Sequence, residues 1–372
     1  MRRSAGSAES TWAGGRAPPH ASVRPNRVLM LATIFNMPYR ILRCAQASGA
    51  EVYALGNAGA RALRHSRHCR RFVLSETVIF GGRDEGLALE INCLVRELGI
   101  DMVIPGCAPS TRALIANRDL IEAPCFPLPT LEQFDALNNK WEFARLCREL
   151  GILMPETRLL PDASALAREI KEQGLPRTLV AKPLSRSGEG GIVVLDGTDT
   201  EARLEKINYR PVLVQAFIPG KDIGASVYAN GGKIEAFIAH RLWHQVYSVL
   251  HDSSILPEVD KVVRHLRLDG VYNFDMRLAP DGAVYYLECN PRFFYKINLS
   301  MLAGINFVER GLPGARPPGN DLITAAGDVR LPKALAYSLV TSARCTRRDW
   351  AMAGYLYLDP VPYAMERLNL TV

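Results

Sequence analysis

Several common signatures are missing from this chain of 372 residues. Its eight cysteines, at 44, 69, 93, 107, 125, 147, 289 and 345, form no C-x-x-C pair. That removes the usual zinc ribbon and redox motifs, and most sit in apolar or helical patterns expected of reduced core residues. No stretch approaches 18 consecutive apolar residues, so no membrane-spanning helix is expected. The first strand runs into "TIFNMP" rather than G-x-G-x-x-G, which argues against a dinucleotide domain. Walker A and internal repeats are absent too. The N-terminus has no apolar core of a secretory signal. Its Arg, Ala, Ser, Gly and Pro content suits a disordered basic tail over 1–26, with a transit peptide as the alternative. A cytoplasmic protein is expected.

Charge of one sign is only mildly in excess. The net charge is +7, and the first 27 residues hold five Arg against one Glu. A nucleic-acid binder needs basic residues gathered on a folded face, which the total does not show. The run "RALRHSRHCRR" (61–71) reads as a solvated helix or loop after the second strand, or else as a polyanion patch.

What is present reads as α/β. "RVLMLA" (27–32), "EVYALG" (51–56) and "DMVIPG" (101–106) are short apolar strands separated by helices, one of them "EGLALEINCLVRELGI" (85–100). Strand, helix, strand in that order implies a parallel, Rossmann-like sheet. "APCFPLPT" (123–130) is a Pro-rich linker, and "NNKWEFARLCREL" (138–150) is a helix with an Asn cap and a Gly151 stop. Residues 210–243 read as antiparallel strands, with "NGG" (230–232) a hairpin turn.

The hairpin 271–290 carries the first chemical signal. One face holds Tyr272, Phe274, Met276, Leu278, Tyr285, Leu287 and Cys289, as a core face would. The other holds Asn273, Asp275, Arg277, Tyr286, Glu288 and Asn290. An even-numbered loop, Asp281-Gly282 or Pro280 to Ala283, sets Asp275 opposite Glu288. Opposed carboxylates repel unless something positive lies between them. Either Arg277 and Arg292 supply that charge, or a divalent cation does, with Asn290 as a third hard oxygen ligand. A second signal is "VAKPLSRSGEGGIVVL" (180–195), in which Lys182 precedes a Gly-rich turn whose N–H groups could fold over phosphates.

Taken in order, these elements resemble the ATP-grasp superfamily over roughly residues 27–310. The resemblance implies a Rossmann-like domain at 27–128, an α+β ATP-grasp domain with antiparallel sheets at 129–310, and a C-terminal extension at 311–372. It implies that Lys140 and Lys182 contact nucleotide phosphates, with Ser187, Gly188 and Gly190 in the flap. Gln215, Ala216, Phe217 and Ile218 would form the hinge beside adenine, and Asp222 would meet the ribose. Asp275, Glu288 and Asn290 would hold Mg2+, or Mn2+ in its place. Arg292 would stabilise the transferred phosphoryl group, with Lys182 as a second catalytic residue. The implied activity is an ADP-forming carboxylate–amine ligase acting on small-molecule carboxylate and amine substrates. It allows a homo-oligomer and involves neither membrane nor nucleic acid. The alternative is a non-catalytic ATP-binding sensor or assembly module. Two tandem copies, as in carbamoyl phosphate synthetase, do not fit this length, "PRFFYKINLSML" does not look like biotin carboxylase, and Ala216 stands at a hinge position often acidic in relatives. "GCAPSTR", through Ser110, Thr111 and Arg112, is a candidate acceptor wall. Arg241, His244 and Lys296 are ambiguous candidates for inward-pointing groups.

Overall fold

A computed structural model of the chain describes residues 26–175, 178–185, 190–314, 322–325, 327–341 and 345–368. Three sheets organise it. The first holds β1 (Arg27–Ala32), β2 (Glu51–Gly56), β3 (Cys69–Leu74) and β4 (Met102–Pro105), all parallel, in the order β3-β2-β1-β4. Residues 28–32 of β1 are wholly buried, as expected of a central strand covered on both faces. The helix Asn36–Ala47 ends at Ser48, before Gly49 at φ +85, and Glu85–Leu98 is capped by Asp84 and closed by Gly99 at φ +60.

The basic run 61–71 is neither a plain helix nor a loop. It spans a 3-10 helix, Ala58–His65, and the start of the edge strand β3. Arg70 and Arg71 lie on that edge and pair with Glu51 and Glu97. Charged side chains of this kind protect a sheet edge from further pairing.

The second sheet is antiparallel: β5 (Thr157–Leu160), β6 (Leu179–Lys182), β7 (Val193–Leu195) and β8 (Val212–Ala216), in the order β5-β8-β6-β7. Its alternation separates two faces. Leu179, Ala181, Val193, Leu195, Val212 and Val214 pack with Leu166 of the helix Ala163–Gln173. Val180, Lys182, Val194 and Gln215 line a cavity on the other side.

The third sheet holds β9 (Lys221–Asn230), β10 (Lys233–Trp243), β11 (Val246–Leu250), β12 (Gly270–Leu278), β13 (Val284–Asn290), β14 (Ile323–Thr324) and β15 (Val329–Arg330). Its path is β13-β12-β9-β10-β11-β15, and β14 pairs with β10. The β9–β10 turn is Gly231-Gly232, at φ +57 and +80, the left-handed pair a tight hairpin requires. One face packs on Phe143 and Cys147 of the helix Lys140–Glu149 and on Val259, Val262 and Val263 of Ile255–Leu266. The other face joins the first sheet's core at Tyr228, Ala236, Ile238 and Val271, then opens to the cavity.

The last residues return to the first sheet. Asp359, at the junction of the helices Arg347–Tyr357 and Pro360–Arg367, is 2% exposed. It accepts hydrogen bonds from Ser66 Oγ at 2.5 Å and the Arg67 N–H at 3.1 Å. No described helix is long and apolar enough to cross a membrane.

Candidate active site

Asp275 and Glu288 are directly opposed on β12 and β13, as the sequence suggests, but for a different reason. The turn is odd, not even. Leu278 pairs with Val284, leaving five residues, 279–283, in the loop, and Asp281 Oδ1 accepts the Ala283 N–H at 3.0 Å. Near the turn Met276 therefore faces Tyr286. A β-bulge at Leu287 then restores the register, so that Asp275 meets Glu288 and Asn273 meets Asn290. The bulge reassigns the faces. Tyr286 is 1% exposed, packs on Phe274 and donates its hydroxyl to Ile255 O at 3.2 Å. Leu287 lines the cavity instead of the core, and Tyr285 is only half-buried.

The charge that offsets the carboxylates comes from Arg292, which attracts both, and from Lys140, which the hairpin's sequence does not indicate, whereas Arg277 is engaged elsewhere. Lys140 Nζ lies 2.9 Å from Glu288 Oε2, and both side chains are largely buried. Asn139 places it by capping the helix, accepting from Trp141 N at 3.0 Å. Arg277 instead pairs with Asp222 across β12–β9 and donates from Nε to Ile218 O at 2.9 Å. Arg292 is 9% exposed and donates from Nη2 to Asn290 Oδ1 at 2.7 Å.

Burial, and then the neighbouring Glu288, raise Asp275 to about 7. Burial acts to raise Glu288 as well, but the Lys140 ammonium prevails and holds it below the usual range. One proton is thus shared by the pair near neutrality, and it resides on Asp275. Asn273 steadies that carboxyl, donating to Oδ1 at 3.0 Å while accepting from Ser226 at 2.9 Å. Because Asp275 is raised in the folded state, its contribution to stability is full below about pH 3.9 and is lost as the pH rises through about 7. Thermal unfolding of the ligand-free protein should therefore show a midpoint falling from pH 5 to 7, and Asp275→Asn should flatten that slope. An unchanged slope in the variant would place the proton elsewhere.

Among the described residues no three His, Cys, Asp or Glu side chains are grouped to hold a metal ion. Asp275 and Glu288 supply two hard oxygen donors in a buried, shared-proton arrangement, which a divalent cation in place of the proton fits. Asn290 now turns its Nδ2 towards both, at 2.9 Å from Asp275 Oδ2 and 3.3 Å from Glu288 Oε1. It would offer its oxygen to a cation only by turning the amide, which also ends the bond to Arg292.

These groups line a cavity of about 610 Å3 between the second and third sheets. Lys182, Gln215, Ala216, Phe217, Ile218, Asp222 and Lys296 line it too. Lys182 donates to Gln215 Oε1 at 2.9 Å, and Gln215 donates on to Thr157 Oγ1 at 3.0 Å. The Gln215 side chain therefore orients Lys182. Burial lowers the Lys182 pKa. Asp222 is mostly exposed at the rim. Ser187 and Gly188 lie outside the described residues, and Gly190 is exposed.

Other candidates are not brought together. Ser110 accepts from Gly106 N and Cys107 N at 3.0 and 2.9 Å, Thr111 donates to Cys107 O at 2.7 Å, and Arg112 pairs with Asp135 at 2.7 Å. Ser110 and Thr111 do structural work at a helix start, and Arg112 ties that helix to Asp135 and to Gly81 O. His244 sits in the β10–β11 turn at φ +45, and Arg241 does not line the cavity.

His240 lines it and was missed. The register rows run His240–Gly224–Asp275–Glu288 across β10, β9, β12 and β13. A Cβ on Gly224 would meet His240 Cε1 at 2.9 Å, so the imidazole lies over the gap that glycine leaves. A glycine inside the strand pattern "DIGASVY" was the available signal, since it marks a close approach. Burial lowers His240 to about 3, so it is a neutral imidazole.

Comparison with known proteins now bears on this arrangement. Residues 208–327 match the family model described as ATP-grasp in the biosynthetic pathway with Ter operon. An ADP complex of N5-carboxyaminoimidazole ribonucleotide synthetase superposes with a TM-score of 0.61 at 15% identity, covering 81% of this chain and 80% of that one. The chain has the ATP-grasp fold. The L-amino acid ligase from Bacillus licheniformis gives a TM-score of 0.57 at 18% identity, over 80% and 75% of the two chains. The biotin carboxylase domain of Hydrogenobacter thermophilus 2-oxoglutarate carboxylase, in complex with MgADP and bicarbonate, gives 0.58 at 16%, over 80% and 72%. In this fold the second and third sheets enclose the cavity, and the family match covers the stretch from β8 to β14 but neither Lys140 nor Lys182.

Proposed function

We propose that the protein is an ATP- and Mg2+-dependent, ADP-forming ligase that activates a carboxylate as an acyl phosphate and joins it to an amine or similar nucleophile. The observation that carries this reading is the opposed Asp275–Glu288 pair, with Asn290 and Arg292 beside it, on the wall of a 610 Å3 cavity that also holds Lys182. That intact set of two acids, Asn290 and Arg292 argues against a non-catalytic ATP-binding module, since a degenerate copy tends to lose charge there.

Asp275, Glu288 and Asn290 would hold the cation. Bound there, Mg2+ would neutralise phosphate oxygens and orient them for in-line transfer. The apolar wall of Val180, Ile192, Val194 and Ile218 suits a purine, with the hinge Gln215–Ile218 along its edge. Lys182, held by Gln215, directs its ammonium at phosphate. Lys140 keeps Glu288 ionised at neutral pH. Arg292 stabilises the transferring phosphoryl group and then the tetrahedral intermediate. The carboxylate oxygen bonds to the γ-phosphorus as the bridging oxygen departs with ADP. The nucleophile then bonds to the acyl carbon, phosphate leaves, and the amine proton passes to solvent. Positioning and charge account for most of this chemistry.

Incubation with ATP, Mg2+, pooled carboxylic acids and hydroxylamine as a surrogate nucleophile tests the scheme. ADP, phosphate and a hydroxamate are expected in equal amounts. AMP and pyrophosphate would show adenylate chemistry and overturn it.

A further inference from the structure

A second chamber, of about 180 Å3, adjoins the first, and the two share Tyr295 and Lys296 in their walls. Its far wall is apolar: Leu242, Leu299, Met352, Tyr355 and Leu356. Four of these come from outside the ATP-binding sheets, on the helices Ile297–Ala303 and Arg347–Tyr357. Polar groups gather instead near the shared wall, where Arg40 also lines the chamber and stacks on Tyr295 at 3.6 Å. Lys296 faces both spaces, and Asn298 Oδ1 is buried without a hydrogen-bond partner. In the larger cavity His240 is 2% exposed, and neither ring nitrogen has a partner. An unpaired buried polar atom is destabilising, and a polar ligand offsets that cost. The helix Arg347–Tyr357 is fixed in place, because Asp359, just beyond it, is tied to Ser66 and Arg67 in the segment leading into β3.

We propose that this chamber holds the apolar body of the carboxylic acid activated in the larger cavity. The inference rests on the ligase reading above. Polarity sets the orientation: the carboxylate lies at Lys296, towards Arg292 and the acid pair, and the hydrocarbon part points at Met352 and Tyr355. An apolar cavity of about 150 Å3 is enough to admit a benzene-sized group. The substrate is therefore an acid with a branched aliphatic or single-ring body, and a short acid leaves the chamber unfilled.

The test compares 4-methylpentanoate, 3-phenylpropanoate, L-leucine and L-phenylalanine with acetate, glycine and succinate. ADP release is followed with Mg·ATP and hydroxylamine. At least one apolar-bodied acid should show a KM tenfold or more below every acid of the second group, in keeping with the roughly 10–200-fold worth of one methylene in a fitted pocket. Met352→Trp, which fills the chamber, should raise that KM at least tenfold and leave Mg·ATP affinity unchanged. Met352→Ala should shift preference to bulkier acids. No preference for apolar bodies, or an unaltered KM in Met352→Trp, overturns the proposal. A variant that also loses Mg·ATP binding has misfolded, and Met352→Ala then decides. If no acid drives ADP release although Mg·ATP binds, the ligase reading fails by itself. Calorimetric binding of the same acids then judges the chamber: affinity lost in Met352→Trp sustains it, and no binding in the unaltered protein ends it.

Discussion

Glu288→Gln should cut ADP release a hundred- to thousandfold or more, the scale seen when one preorganised charge-stabilising group is lost. It should also weaken the fold. Lys140 is 7% exposed and has Glu288 Oε2 at 2.9 Å, so the substitution leaves an ammonium facing an uncharged amide inside the protein. Breaking a buried pair from one side costs about 3–5 kcal/mol. A Gln that still accepts a hydrogen bond should fall at the lower end. The two effects separate in the double variant Lys140→Met with Glu288→Gln, which removes both charges. Stability should largely return there, whereas turnover should not. Urea unfolding and ADP release measure the two arms. Turnover surviving in Glu288→Gln would mean that the cation is held elsewhere.

Gly220→Ala is expected to be the most damaging of the small substitutions. Gly220 joins the hinge after β8 to the start of β9, at φ +140. A Cβ there would stand 2.1 Å from Leu278 O and 2.9 Å from Leu278 C, both backbone atoms at the end of β12. No rotamer change relieves that contact. The strained backbone conformation costs about 1–3 kcal/mol, and the forced strand shift costs about 1–3 kcal/mol more. The shift also moves Ile218, whose carbonyl accepts from Arg277 at 2.9 Å, so nucleotide affinity should fall with stability. Gly231→Asn supplies the contrast. Its site has φ +57 and nothing within 4 Å of a new Cβ, and Asn tolerates that conformation. Its effect should stay within about 1 kcal/mol by the same reasoning. Equal losses in the two variants would show that crowding at Leu278 is not what Gly220 avoids.

Much of the fold is legible in the sequence where a single local rule acts. β1, β2 and β4 are short apolar runs, and the Gly231-Gly232 turn and the Asn139 cap follow from residue type alone. The Asp275–Glu288 pairing could be seen too, although the alternation that suggests it holds only from the bulge onward and misplaces Tyr286 and Leu287. The less legible features depend on contacts between distant segments. Loop parity and the bulge at Leu287 cancel one another, so neither shows in the pattern of the pairing. Glu288's partner, Lys140, lies 148 positions earlier, on a helix. Ser110, Thr111 and Arg112 carry useful chemistry by type, but backbone groups and Asp135 satisfy them. His240 looks unremarkable beside Arg241 until Gly224 is placed next to it. The C-terminal helices show weak periodicity, since much of their surface meets other elements only in patches, and Asp359 has no signature beyond its type.

The bulge at Leu287 has a consequence for how this hairpin can vary. It separates the hairpin into two segments, one indexed to the turn and one indexed to the acid pair. Residues between the turn and Leu287 pair on a register set by the length of 279–283, while those from Glu288 onward keep the register that Gly224 and Asn273 impose through β9 and β12. A change of one residue in the turn can then be absorbed by removing the bulge, with Asp275 still facing Glu288. Removing the bulge would exchange the inward and outward sides of Tyr285, Tyr286 and Leu287 and leave the chemistry-bearing row where it is, whereas keeping it changes only the length of the loop. Turn length and site geometry are therefore independently adjustable in this hairpin, and insertions at its tip need not reach the carboxylates.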